Sequence, residues 1–202
     1  MTGTAVTVAA VPFTLENLVY AKVLTDTFEE MTFGPVKRFA GALDAKINPN
    51  SSTAIYYRDN GAGGAATAKG AVEIEVGIDA VSKEVRADVL GSEIDANGVL
   101  LDSPDDVAPY VAFGFTSETD GGGKQYYWFY KGKFEVPSDN FATRTDKVDF
   151  QTGSIKGTFV KPNFHPKDRA SVNSKDADLA EGVIENWFNN VYLPAQAAPV
   201  TP

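Results

Sequence analysis

Few side chains in this sequence could do chemistry, and the single histidine is the first to consider. His165 stands between Phe164 and Pro166, and no cluster of residues with metal-ligand spacing surrounds it. A Ser-His-Asp site would need this histidine beside a positioned serine, and the sequence has no Gly-x-Ser-x-Gly motif. Since a lone histidine in a loop is far more often a surface residue than a catalyst, we expect His165 to lie at the surface.

The segment DGGGK (120–124) resembles a phosphate-binding loop but departs from that motif at three points. Glu118 stands where the first glycine is required, Gln125 replaces the serine or threonine that binds magnesium, and a strand pattern follows where a helix should begin. A hairpin turn explains these glycines better.

Acidic residues are grouped in two places. The segment DANGVLLDSPDD (95–106) fails the EF-hand pattern, because Val99 stands at the third ligand position and Leu100 at that of the invariant glycine. Glu73 and Glu75 are two residues apart on one strand, where paired carboxylates usually form its polar face. The sequence therefore offers no convincing active site, metal site or cofactor site, and we expect a protein that is not an enzyme.

Length and charge narrow the class of protein. With 202 residues and no cysteine, the chain can bury its own core without disulfides or thiolate metal sites. Its net charge of −9 would repel nucleic acid phosphates. The opening MTGTAVTVAAVPFTLENL lacks the pattern of a signal peptide, and no apolar run approaches the roughly 20 residues of a membrane span. These features predict a soluble acidic protein made in the cytoplasm.

Hydrophobic periodicity predicts a mostly antiparallel β fold, a sandwich or a barrel, with one or two small helices. Strands are predicted at 17–24, 36–49, 71–79 and 154–162, with two more inside 109–136 and a hairpin turn at Asn97-Gly98. The helices are predicted after Asp79 as N-cap, with Gly91 at the C-terminal end, and at 178–192, where Asp178 and Glu181 have capping-box spacing.

The alternation in two of these strands assigns their faces. In 36–49 one face carries Phe39, Leu43, Ala45 and Ile47, and Pro49 should end the strand because it cannot donate to a ladder. In 71–79 the core face is expected to carry Val72, Ile74, Val76 and Ile78. The other face carries Glu73, Glu75 and Asp79, which must reach water.

Two segments do not fit this simple pattern. Residues 50–70 form a glycine- and alanine-rich stretch that is too long for a hairpin turn, and loops of this length are usually functional or disordered. In QYYWFYKGKFEVP (125–137) five consecutive aromatic residues occupy both faces of a strand. A core, a ligand or another copy of the chain could cover the second face.

The sequence resembles the major tail proteins, or tail tube proteins, of bacteriophages with long non-contractile tails. The segments similar to that family occur in its order: NLVYAKVLTDT (17–27), FGPVKRFAGALDAKINPNSST (33–53), GAVEIEVGID (70–79), VLGSEIDANGVLLDSPDDVAPYVAFGF (89–115) and YYWFYKGKFEVPSDNFATRTDKVDFQTGSIKGTF (126–159). The stretches APYVAFGF and WFYKGKF are the most specific. The resemblance covers 16–165, which leaves 1–15 as an N-terminal arm and 166–202 as a C-terminal extension with a helix and a flexible tail.

The resemblance implies a β-sandwich or barrel with a flanking helix, and a structural role in the virion. In this family six subunits form a ring, and the rings stack into a tube. The tube surrounds the tape-measure protein, meets the tail terminator and distal tail proteins, and conducts double-stranded DNA into the host without binding it tightly.

Site residues follow from the same resemblance. The acidic strand face, Glu73, Glu75 and Asp79, is expected to line the channel and repel passing DNA. Contacts between subunits or rings are expected at two groups, Tyr56, Tyr57, Gly61, Gly63 and Gly64 in the glycine-rich stretch and Tyr126, Tyr127, Trp128, Phe129 and Tyr130 in the aromatic strand. The alternative for the aromatic strand is burial on both sides within one subunit.

Two other classes of function compete with the tail tube. One is a carbohydrate-binding β-sandwich module that uses exposed tyrosine and tryptophan side chains as a sugar platform. The other is a small-ligand barrel or a hydrolase without a recognisable motif. Assembly state separates them, because a tube protein forms rings or tubes and a binding module stays monomeric.

Overall fold

Antiparallel strands dominate the structure, as the sequence predicts, and the arrangement is consistent with a β-sandwich. The computed structural model describes residues 11–58, 61–137 and 153–194, and for 55–58, 61–63 and 80 it describes the backbone alone. Most of the predicted N-terminal arm (1–10) and of the predicted tail (195–202) lies outside the described residues.

The described elements are strands of very different lengths and two short helices. The strands are β1 (Glu16–Asp26), β2 (Met31–Phe33), β3 (Lys37–Arg38), β4 (Ala40–Arg58), β5 (Gly61–Val81), β6 (Glu93–Ile94), β7 (Leu100–Leu101), β8 (Val111–Glu118), β9 (Lys124–Phe134), β10 (Gly153–Phe159) and β11 (Arg169–Asn173). The helices are α1 (Lys83–Leu90) and α2 (Val183–Asn186).

Nine of these strands form one sheet. Seven follow one another in the order β2-β1-β8-β9-β10-β5-β4, and β11 and β3 pair at its sides with β9 and β1. The strand β9 has two neighbours on its second edge, because β10 pairs with 132–134 and β11 pairs with 125–129. The strand β3 pairs with β1 at Val19↔Arg38 and Tyr20↔Lys37 and leads into β4 after one residue. The two ends of the sheet therefore meet and enclose a core.

The enclosed core confirms the predicted alternation in β5, where Val72, Ile74, Val76 and Ile78 are buried. Phenylalanine side chains from β8, β9 and β10 fill its centre, and one end is covered by Val85, Val89 and Leu90 of α1. The predicted N-cap of this helix is wrong. Ser82 caps it by accepting a hydrogen bond from the backbone N–H of Val85 at 3.3 Å, while Gly91 adopts the left-handed conformation at the other end, as predicted.

The predicted strand 36–49 differs from the observed one in length and facing. Pairing between β4 and β5 shifts register between Ala40 and Asp44, so Leu43 is exposed although Phe39 is buried. The strand also runs through Pro49 to Arg58. Proline is tolerated there because β4 is the last strand of the sheet, so the missing N–H is not required by a second neighbour.

Residues 163–194 form a layer on the outer side of β9, which we call the C-terminal cover. It contains β11 and α2, and the predicted helix 178–192 is reduced to the four residues of α2. The capping-box prediction fails because Gly182 is the N-cap and offers no side-chain hydrogen bond. Since β11 extends the main sheet, residues 169–173 pack with 16–165 rather than apart from them.

Candidate assembly surfaces

The aromatic strand β9 is buried on both faces within one chain. Tyr127 and Phe129 point to the enclosed core, and Trp128 and Tyr130 point to the C-terminal cover. The indole N–H of Trp128 donates to the carbonyl oxygen of Trp187 at 2.9 Å. The cover therefore hides the second face.

For three of the five aromatic residues predicted at a subunit interface, the single chain shows the alternative, burial on both sides of β9. Trp128, Phe129 and Tyr130 are almost fully buried in a single chain, so their side chains are not free to contact a second copy in this arrangement. Tyr126 and Tyr127 remain partly exposed. The sequence of one strand shows that both faces are apolar but not which part of the chain covers them.

The glycine- and alanine-rich stretch is a β hairpin, not the uncommitted loop expected from its composition. Pairing between β4 and β5 continues from Ser51↔Lys69 to Arg58↔Gly61, and we call this hairpin the arm (51–69). The strand β10 pairs with β5 only through 72–78, so neither strand of the arm has a second neighbour among the described strands.

Small and polar side chains cover the described part of the arm. Residues 51–54 and 65–69 are exposed, and Thr53 and Thr67 meet across the two strands at 3.1 Å. All five predicted contact residues of this stretch lie in the arm: Tyr56, Tyr57, Gly61, Gly63 and Gly64. Burial is described only for Gly64, which is partly buried. A two-stranded hairpin alone is marginally stable in water, so the arm would gain from a binding partner.

The polar face of β5 is exposed at Glu73 and Asp79 but only partly exposed at Glu75, and it is not uniformly acidic. Glu73 is exposed, and the side-chain amide of Asn50 donates to its carboxylate at 3.1 Å. Glu75 is paired in register with Lys46 of β4 on one side and Lys156 of β10 on the other. The sequence could not reveal this row of alternating charge, because it depends on the register of three strands.

Asp79, the third residue predicted to line the channel, has a structural role at the end of this face. Its carboxylate accepts a hydrogen bond from the backbone N–H of Gly41 at 3.0 Å. A Cβ atom at Gly41 would lie 2.3 Å from the Asp79 carboxylate, so the glycine permits this close approach.

A partly buried ion pair fixes the start of the C-terminal cover. The carboxylate of Asp26 accepts hydrogen bonds from Lys131 Nζ at 2.6 Å and from the backbone N–H groups of Asn163 and Phe164 at 2.9 and 3.1 Å. Burial works to raise the pKa of Asp26, but these hydrogen bonds outweigh it and lower the pKa below its usual range. The pair therefore ties β1 and β9 to the first residues of the cover.

His165 lies beside this ion pair and is buried, which contradicts the expected surface position. It is 8% exposed, and its ring meets Tyr130 edge-on with centroids 4.7 Å apart. Among the residues that the structure describes, no group of three or more histidine, cysteine or acidic side chains could hold a metal ion.

No helix within the described ranges is long and apolar enough to cross a bilayer. No protein-family model and no curated protein matches this sequence.

Proposed function

We propose that this protein is the structural subunit of a phage tail tube, a virion protein that assembles into stacked hexameric rings and guides DNA into the host. The observation that carries the proposal is the arm, a hairpin that extends beyond the pairing with β10 and is exposed at residues 51–54 and 65–69. The sequence resemblance to tail tube proteins supports the same assignment.

The edge of the main sheet also supports assembly. Beyond its junction with β1 and β3, the strand β4 has no strand on its outer side among the described residues. An unpaired edge offers backbone N–H and C=O groups that another chain can pair with. A ring in which each sheet edge meets a neighbour would satisfy these groups.

The carbohydrate-binding alternative receives less support from the aromatic side chains. A sugar platform requires exposed rings, but Trp128 and Trp187 are 0% and 2% exposed. Both tryptophans are engaged in contacts between β9 and the C-terminal cover.

Assembly state tests the proposal directly. We expect the purified full chain to form hollow rings or tubes as its concentration rises, measured by light scattering and negative-stain electron microscopy. A chain that stays monomeric at the highest concentration reached and binds a glycan would contradict the proposal and favour the carbohydrate-binding module.

A further inference from the structure

The hydrogen bond at Nδ1 of His165 opposes the binding of a second proton to its ring. Its Nδ1 atom accepts a hydrogen bond from the backbone N–H of Lys167 at 3.2 Å, so the neutral ring carries its proton on Nε2. That Nε2–H group is buried and has no hydrogen-bond partner among the described residues. A second proton would have to bind Nδ1, where it would face the Lys167 N–H and break the existing bond.

The charges around His165 do not remove this obstacle. Asp26 attracts a protonated imidazole, but its carboxylate already accepts from Lys131 and from two backbone N–H groups. Lys167 adds a repelling charge, and Tyr130 is a neutral aromatic neighbour because burial raises its pKa. Burial lowers the pKa of His165 below its ordinary value, because it outweighs both the attraction of Asp26 and the backbone hydrogen bonds at Lys167 and His165, which raise the pKa.

We propose that His165 is an acid-sensitive latch whose protonation loosens the C-terminal cover from the outer face of β9. The neutral ring belongs to the cover and packs against Tyr130 of β9. Charging it breaks the Lys167 contact and places in a buried position a charge that Asp26, already paired with Lys131, compensates poorly. Loosening would expose Trp128 and the neighbouring aromatic rings. This inference does not depend on the proposed function.

The direction of the pH dependence follows from the preference of the folded chain for neutral His165. The contribution to stability is complete above about pH 6.5, where an unfolded histidine is also neutral. It is lost as the pH falls from that value towards the lower pKa of the folded state, because only the unfolded chain binds the proton readily in that window.

The composition of the chain allows a specific test with the full-length protein. Both of its tryptophans, Trp128 and Trp187, lie between β9 and the cover, so their fluorescence reports on this layer alone. Between about pH 7.5 and pH 5 we expect the emission to move to longer wavelength and acrylamide quenching to rise several-fold. The His165→Gln variant, which cannot be charged, should show neither change. An equal response in this variant, or no response in the natural chain, would overturn the proposal.

A second measurement needs no variant. The chain has one histidine, so one imidazole proton resonance reports its titration by nuclear magnetic resonance. We expect a midpoint below the value of about 6.5 for a free histidine. A midpoint at or above that value would refute the latch even if the glutamine variant failed to fold.

Discussion

At the scale of single residues, Asp88 on α1 connects the helix to the place where the two ends of the sheet meet. Its carboxylate accepts hydrogen bonds from the hydroxyl of Tyr20 at 2.8 Å and from Lys22 and Lys37 at 2.7 and 2.5 Å. Partial burial works to raise its pKa, but these three donors outweigh burial and lower the pKa to about 2. One side chain therefore joins α1, β1 and β3.

Replacing Asp88 by asparagine should destabilise the folded chain at neutral pH. A shift from 3.8 to about 2 would correspond to roughly 2.5 kcal/mol, and solvent screening at this partly exposed site leaves about 1 to 2 kcal/mol. Because the folded pKa is depressed, this stability is present above about pH 4 and is lost as the pH falls towards 2. Urea unfolding of both proteins at several pH values measures the difference.

The control for this change is Asp102→Asn. Asp102 is 53% exposed and pairs with Arg86 at 3.3 Å, so its loss should cost less than about 0.5 kcal/mol. Equal costs for Asp88→Asn and Asp102→Asn at neutral pH would contradict the role given to Asp88.

At the scale of elements, the sequence predicted best where one face of a strand is buried. The alternation of β5 and the turn between β8 and β9 could be read directly, because side-chain period and glycine content fix them. The length of β4 could not, because the effect of Pro49 depends on the strand being at the sheet edge. The helix predicted at 178–192 proved shorter, because Trp187 and Val191 pack on the outer face of β9, which helix spacing alone does not reveal.

In the candidate assembly surfaces too, features set by one strand could be predicted from the sequence, and contacts between distant segments could not. The alternation of its strand predicts that Glu73 is exposed, but it does not predict which residues lie beside Glu73 on the neighbouring strands. The glycine in WFYKGKF is another example. A Cβ atom at Gly132 would lie 2.3 Å from the ring of Phe159, a contact made across the sheet by a residue far along the chain.

Shortening the arm should separate folding from assembly. We expect a variant in which Asn-Gly replaces 53–67 to fold normally, because Ser52 and Ala68 are paired and a two-residue turn can join them. Its melting temperature should stay close to that of the full chain, since the described arm residues are largely exposed. If the protein is a tail tube subunit, as proposed, the electron microscope should show no tubes of this variant. Normal tubes from a folded variant would show that the arm is not an assembly element.

At the scale of the whole molecule, the charge row across β4, β5 and β10 tests whether this face lines a channel. The natural row is Lys46, Glu75 and Lys156, with Glu73 beside it, in a chain of net charge −9. Changing Glu73 and Glu75 to lysine removes two negative charges and adds two positive ones, which shifts the net charge of every subunit from −9 to −5 and makes the row entirely basic. Like charges on neighbouring strands cost about 0.2–1 kcal/mol each, so the fold should survive.

On the proposed function, tubes of this double variant should retain short linear duplex DNA at low salt and release it at high salt, because screening shortens the reach of charge to about 8 Å at physiological ionic strength. Tubes of the natural chain should retain none. Closed circular DNA is the control for location, since it can bind the outer surface but cannot enter a channel. Tubes of the matched variant Lys46→Glu with Lys156→Glu, which makes the same row acidic, should also retain none. If intact basic tubes held circular and linear DNA equally, the row would lie on the outside, and if they held neither, it would not face the DNA at all.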